Sequence, residues 1–163
     1  MKSIIALCIL CIVVYADNPI INHLYTADPA ALVYNDTFYI YTGHDEGSTG
    51  YIMHNWHVFS STDLVHWTDH GIRLEVSQFS WASRDAWAAQ VIERDGKFYW
   101  YICAEQRGGG KGVGVAVADH PLGPFSAKSS ALITNQMTND VNISWDDIDP
   151  TAIVDDDGQA YMY

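Results

Sequence analysis

The chain has 163 residues, enough for one domain of ordinary size, and 48% of them are apolar, so a packed core is within reach. Only 17% are charged, which excludes a disordered or coiled-coil protein. Twenty acidic residues against eight Lys and Arg give a net charge of −12, with no basic cluster, which argues against binding to nucleic acid or to an anionic membrane surface. A neutral polysaccharide would meet no such barrier, and ten Tyr, six Trp and five Phe supply flat faces on which sugar rings can pack.

Residues 1–16, MKSIIALCILCIVVYA, have the pattern of a secretory signal. Lys2 gives the positive start, and Ile4 to Val14 an apolar run too short to span a bilayer as a helix. Val14-Tyr15-Ala16 fits a cleavage site that leaves Asp17 first, so the expected location is outside the cell or in the periplasm. Cys8 and Cys11 would leave with the signal. Cys103, the one that remains, reads as a small buried hydrophobe, and stability must come from the core.

From residue 17 onward the sequence reads as strands. ALVY-ND-TFYIYT predicts a hairpin turning at Asn35-Asp36, QVIE-RDG-KFYWYIC a second turning at Asp95-Gly96, and TAIV-DDDG-QAYMY a third turning near Asp157-Gly158. Tyr39, Tyr99 and Tyr161 hold the same place after each turn, 60 and 62 residues apart. Each of the first two hairpins is followed by another strand pair, HVFSSTDLVHWTDHG and GVGVAVADHPLGPFSA. Four-stranded units recurring along a chain predict a β-propeller. A β-sandwich would house as many strands but would leave the recurrence unexplained. Two units and the opening hairpin of a third are present, so the sequence is expected to be a fragment or a truncated product.

In a propeller the first strand of every blade lines the central channel. The repeat places Asp149 and Trp87 at equivalent positions and Asp28 within one residue of them, which points two carboxylates and an indole at one pocket. Paired carboxylates are what hydrolysis of a glycosidic bond needs: one activates water, and the other assists the leaving oxygen. Asp-Pro is also an ordinary turn pair, so the recurrence, not either Asp alone, carries the expectation.

Other motifs have plainer readings. His44-Asp45-Glu46 follows a strand and could line the pocket rim or form a polar loop. His54 and His57 read as strand residues and not as a helical metal pair. Asp155 to Gly158 lacks the later ligands of a calcium loop, and RGGGKG at Arg107 to Gly112 is a hairpin connection, since strand pattern follows Lys111. Asn35 and Asn142 stand in glycosylation triplets.

The segments YTADPAALVYNDTFYIYTGHDE, VFSSTDLVHWTDHG, DAWAAQVIERDGKFYWY, GVGVAVADHPLGPF and WDDIDPTAIVDDDGQAYMY follow one another as in glycoside hydrolase family 43. The chain resembles its arabinoxylan arabinofuranohydrolase and xylosidase members over residues 18 to 163. That resemblance implies an all-β, five-bladed propeller, of which this chain covers the first two and a half blades. It also implies an inverting hydrolase acting on arabinoxylan or xylan, either an α-L-arabinofuranosidase or a β-xylosidase. Asp28 matches the general base, Asp149 the aspartate that orients the acid and raises its pKa, and Trp87 an aromatic of the sugar pocket, with His44 and Asp45 as further substrate-binding candidates. The acid is a glutamate beyond the Asp149 segment; Glu46, Glu75, Glu93 and Glu105 all precede it. Many members carry Pro or Gly where this chain has Ala89. No cofactor is implied beyond a calcium that some members hold on the axis. Two rival expectations stand beside the hydrolase: a carbohydrate-binding propeller without catalysis, and an inactive truncated product.

Overall fold

The computed structural model describes residues 18–47, 49–138 and 146–163, so the expected signal segment and Asn142 lie outside the described residues. Strands β1 (Thr26–Tyr34), β2 (Thr37–His44), β3 (Asn55–Ser61) and β4 (Thr68–Glu75) form an antiparallel meander in chain order. The β1–β2 hairpin turns on Asn35 and Asp36, at φ +48° and +56°. Asx residues are the non-glycine residues that best tolerate this left-handed region, and such a turn matches the twist of the strands it joins.

The second sheet repeats the plan. β6 (Ala89–Arg94) and β7 (Lys97–Gln106) turn on Asp95-Gly96, again with positive φ at both residues, and β8 (Lys111–Ala118) and β9 (Ser126–Ala127) follow. Two short strands extend it. β5 (Ala82–Arg84) pairs with the end of the ten-residue β7, at Gln106 and Glu105, beyond the reach of β6. β10 (Ile133–Thr134) does the same for the start of β8. A third hairpin, β11 (Ala152–Val154) and β12 (Ala160–Met162), is closed by Asp155–Gly158, whose Asp155 and Asp157 carboxylates accept hydrogen bonds from the backbone of the turn. Among the described residues, helix is confined to the single turns Val76–Gln78 and Asn135–Thr138. The fold is all-β, built of successive antiparallel blades, as the repeat predicts.

The core lies between the first two blades. Trp56 and Trp100, Tyr41, Phe79 and Phe98 are all buried there. Trp100 meets Tyr41 edge to face at 4.8 Å and Phe125 at 4.9 Å, arrangements favoured by the ring quadrupoles. The Tyr41 hydroxyl donates to the Pro121 carbonyl at 2.8 Å, so this deep polar atom is satisfied across the blade boundary. Gln90 on β6 accepts from the Ala152 N–H at 2.6 Å, and Arg94 donates to the Gly158 carbonyl at 3.0 Å. These two bonds dock the third hairpin against the second blade.

Strand pairing refines the predicted repeat. Tyr39, Tyr99 and Tyr161 pair with Leu32, Ile92 and Ile153. Counted back along the inner strands, Asp28 and Asp149 both lie four residues before that partner, and Trp87 lies five before. The two aspartates are therefore the equivalent pair and the indole is displaced by one, because the third turn is longer than the two-residue turns of the others. Ala89 then stands where Pro29 and Pro150 stand, and it opens β6 in regular register with Ile102.

Candidate active site

The starts of β1, β6 and β11 converge. Asp28 to Ala31, Ala88 to Gln90 and Asp149 to Thr151 line one cavity of about 390 Å³. A second cavity of about 250 Å³ adjoins it, lined by Asp28, Tyr51, Met53, Trp87, Ile148 and Asp149. The structure thus brings Asp28, Asp149 and Trp87 together from three different inner strands or their leads. A third space of about 480 Å³ opens from Asp28 past Asp45, Glu46, Tyr25 and Tyr51.

Both aspartates have left-handed backbone, φ +51° at Asp28 and +56° at Asp149. β1 is bulged between Ala27 and Ala30, so Asp28 is turned out of the ladder just where its strand reaches the cavity. Asp85, two residues before Trp87, has φ +66°. Asp28 and Asp149 thus share this sparsely used region at equivalent places on two inner strands, the kind of local strain that folds keep at functional sites.

The Asp28 carboxyl is partly enclosed, and that loss of hydration raises its pKa above the ordinary 3.8; the charges of Asp149 and then Asp45 push it further the same way. Asp45 therefore acts on the site through its field and through the rim of the third cavity. His44, expected beside it, is turned elsewhere. Its Nδ1 lies 3.2 Å from Asn55 Oδ1, its ring meets His57 at 5.0 Å, and it lines none of these three cavities. Alternation along β2 explains this: Asp45 leaves the strand at its end, while His44 remains in register with Thr26.

Trp87 is held on several sides. Its indole N–H donates to the Tyr51 carbonyl at 3.0 Å, its own carbonyl accepts from the Trp56 indole at 2.8 Å, and the next turn of chain is tied by Ala86 N–H to the Met53 carbonyl. The loop between β2 and β3 thus clasps the lead into β6. Beneath the ring lies Lys111, its ammonium 3.6 Å from the ring centroid and 2.7 Å from Asp85. Sequence reasoning missed Lys111 as a site residue, because it was weighed only as part of a failed phosphate loop. Tyr51 and Gln90 were missed too; only the Gly-rich, aromatic character of GSTGY hinted at the first.

Glu46 and Glu105 do not suit a proton donor. Burial works against the Glu46 carboxylate, but hydrogen bonding to His54 and the nearby His54 and His44 rings bring its pKa below the usual range. The hydrogen bond from Arg84 does the same for Glu105, followed by Lys111. Among the described residues no group of three or more His, Cys, Asp or Glu is placed to hold a metal ion, so the axial calcium implied by the resemblance finds no ligand set here.

Sequential antiparallel blades whose inner strands converge on one aromatic-walled cavity define an all-β, propeller-type fold. The family model described as glycosyl hydrolases family 43 matches residues 16–163, and the chain belongs to that family. It is 38% identical over 156 residues to xylosidase/arabinosidase 43A of Humicola insolens, covering 89% of this chain and 45% of that protein. It is 34% identical to an arabinoxylan arabinofuranohydrolase of Paenibacillus polymyxa, covering 90% of this chain and 26% of the other. Among solved structures, a family 43 enzyme of Xanthomonas citri in complex with xylotriose superposes with a TM-score of 0.75 at 36% identity, covering 87% of this chain and 40% of that one. A β-xylosidase/α-arabinofuranosidase from a compost metagenome, bound to xylotriose in a calcium-free form, gives the same TM-score at 35% identity. The chain spans less than half the length of these relatives.

Proposed function

We propose that this chain is the catalytic-base-bearing part of a secreted glycoside hydrolase that removes arabinofuranose or xylose from arabinoxylan or xylan with inversion. The observation that carries the reading is the meeting of Asp28 and Asp149, from equivalent places on two blades, in one cavity with Trp87 on its wall. Asp28 takes a proton from a water that attacks the anomeric carbon. The bond to the leaving oxygen breaks as a glutamic acid, which the family resemblance places beyond the Asp149 segment, protonates that oxygen. Asp149 orients that acid, and its negative charge keeps it protonated. A raised pKa suits Asp28 to the task, because the ionised form of a carboxylate of higher pKa is the stronger proton acceptor. Trp87 offers the sugar an apolar face, and the chemistry needs carboxylates and water only.

The test is Asp28→Asn in the full-length protein, assayed by release of arabinose and xylose from arabinoxylan and from aryl glycosides. Asn keeps the shape and tolerates the left-handed backbone. Turnover should fall by roughly 100-fold or more, the scale of a lost general base. Near-normal turnover would exclude Asp28 from the role. The rival reading is a binding propeller without catalysis, in which Trp87 and its neighbours hold the sugar and no bond is broken. Sugar binding with no turnover by the full-length protein would establish it. For secretion, exported protein should begin at Asp17.

A further inference from the structure

We propose that Lys111 is a positioning residue that fixes the plane of the Trp87 indole in the cavity wall through a buried ion cluster. Lys111 opens β8, opposite Glu105 on β7, and only 8% of its surface is exposed. An ammonium has three N–H donors. Two are taken by carboxylates, Asp85 at 2.7 Å and Glu105 at 3.3 Å, and the remaining side of the charge faces the Trp87 ring at 3.6 Å from its centroid. Arg84 bonds the same Glu105 oxygen at 2.8 Å, so two cations and two carboxylates make a neutral set. Such a set adds little net field at the cavity, and Lys111 is not among the charges that shift Asp28. Its effect is geometric. A desolvated cation over an indole face is a directional contact, where an aliphatic side chain would let the ring slide.

The chain makes this contact unusually well defined. Asp85 lies two residues before Trp87 and is itself nearly buried, with left-handed backbone that aims it back under the ring. Lys111 is therefore bound at once to the ring and to the side chain of Asp85, two residues before it in the chain. With Tyr51 accepting from the indole N–H at one edge, the indole is fixed by its edge and by one face. What remains free is the part that lines the cavity with Asp28 and Asp149. The consequence for sugar binding rests on the glycosidase reading; the placement of the ring does not.

The experiment uses the full chain. Removing Lys111 alone would orphan the buried Asp85, so the main variant is Lys111→Met with Asp85→Asn, which removes both charges and keeps both shapes. Lys111→Arg keeps the cation, and Trp87→Leu assigns the Trp87 indole resonance by its disappearance. Hydrogen exchange of the Trp87 indole N–H reads whether the ring is held. It should speed at least about 10-fold in the double variant and stay near wild type in Lys111→Arg, with the Val58 and Phe59 amides of β3 unchanged. Xylotriose affinity should fall about 10-fold in the double variant. In a Trp87→Leu background the same two changes should cost nothing further, since Lys111 acts through the indole. Unchanged indole exchange, or an equal loss of affinity in the Trp87→Leu background, would overturn the proposal. If the wild type binds no xylotriose, the glycosidase reading fails and indole exchange alone decides the positioning role. If the double variant does not fold, Lys111→Gln serves instead, because its amide can still bond Asp85 but puts no charge on the ring.

Discussion

The Asp28 carboxyl stands in a place that penalises its charge, and this has two measurable results. Its pKa is raised in the folded state, first by partial burial and then by Asp149 and Asp45. Between the ordinary 3.8 and that raised value the folded protein holds more protons than the unfolded one, so stability falls as pH rises through this window and stays lower above it. Asp28→Asn, which removes the charge and keeps the backbone conformation, should therefore raise Tm at pH 7. The gain should vanish at about pH 3, where both side chains are neutral; a thermal melt series across pH checks it. Like charges also make Asp45 a tuning residue. Asp45→Asn removes one of the charges that raise the Asp28 pKa, so the acid limb of kcat/KM for the full-length enzyme should move to lower pH. No movement of that limb would leave Asp45 only a rim residue.

At the scale of elements, the third hairpin shows how one blade is held to the next. β11 and β12 are three residues each, too short to be stable as an isolated pair in water. The docking bond from the buried Ala152 N–H to Gln90 is therefore a main support. Gln90→Leu leaves that N–H without a partner, a loss of roughly 1–3 kcal/mol confined to this hairpin. Amide exchange at Ala152 and at Tyr163, whose N–H donates to Thr151, should accelerate by about 10-fold or more while β2 and β3 keep their protection. Since Gln90, Pro150 and Thr151 line the same cavity, loosening the hairpin also loosens the wall that carries Asp149.

Across the whole molecule, the first two blades share one aromatic core and should unfold together. Trp100 is fully buried at the centre of that core, against Tyr41 from the first blade and Phe125 from the second. Trp100→Ala should cost about 3–5 kcal/mol, the range for truncating a buried aromatic, and should lower a single cooperative transition. Two separate transitions, with the first blade's unmoved, would show that the blades are energetically independent. Gly114 adds a second constraint on this packing. A Cβ there would lie 2.5 Å from the Trp81 ring, so the wide β8 face accepts that indole only because the position is bare.

Local chemistry in the sequence determined the strands and their turns. Asn35-Asp36 and Asp95-Gly96 can take the left-handed turn that few other residue pairs accept, and the alternating aromatics around them fix which strand faces are buried. The repeat of that local pattern was enough to predict blades, and to bring Asp28, Trp87 and Asp149 toward one end of them. Only the tertiary structure decided the finer register, with Asp149 matching Asp28 and Trp87 displaced, because turn length shifts counting while hydrogen-bond pairing does not. It also decided which polar side chains reach the cavity. His44 and Asp45 are neighbours in sequence, yet the strand ends between them and they face different surroundings. Lys111 and Trp87 are far apart in sequence, and nothing in either local pattern announces their contact. It exists because β8 runs beside β7 and begins beneath the lead into β6, where a cation can be buried only with Asp85 and Glu105 already in place.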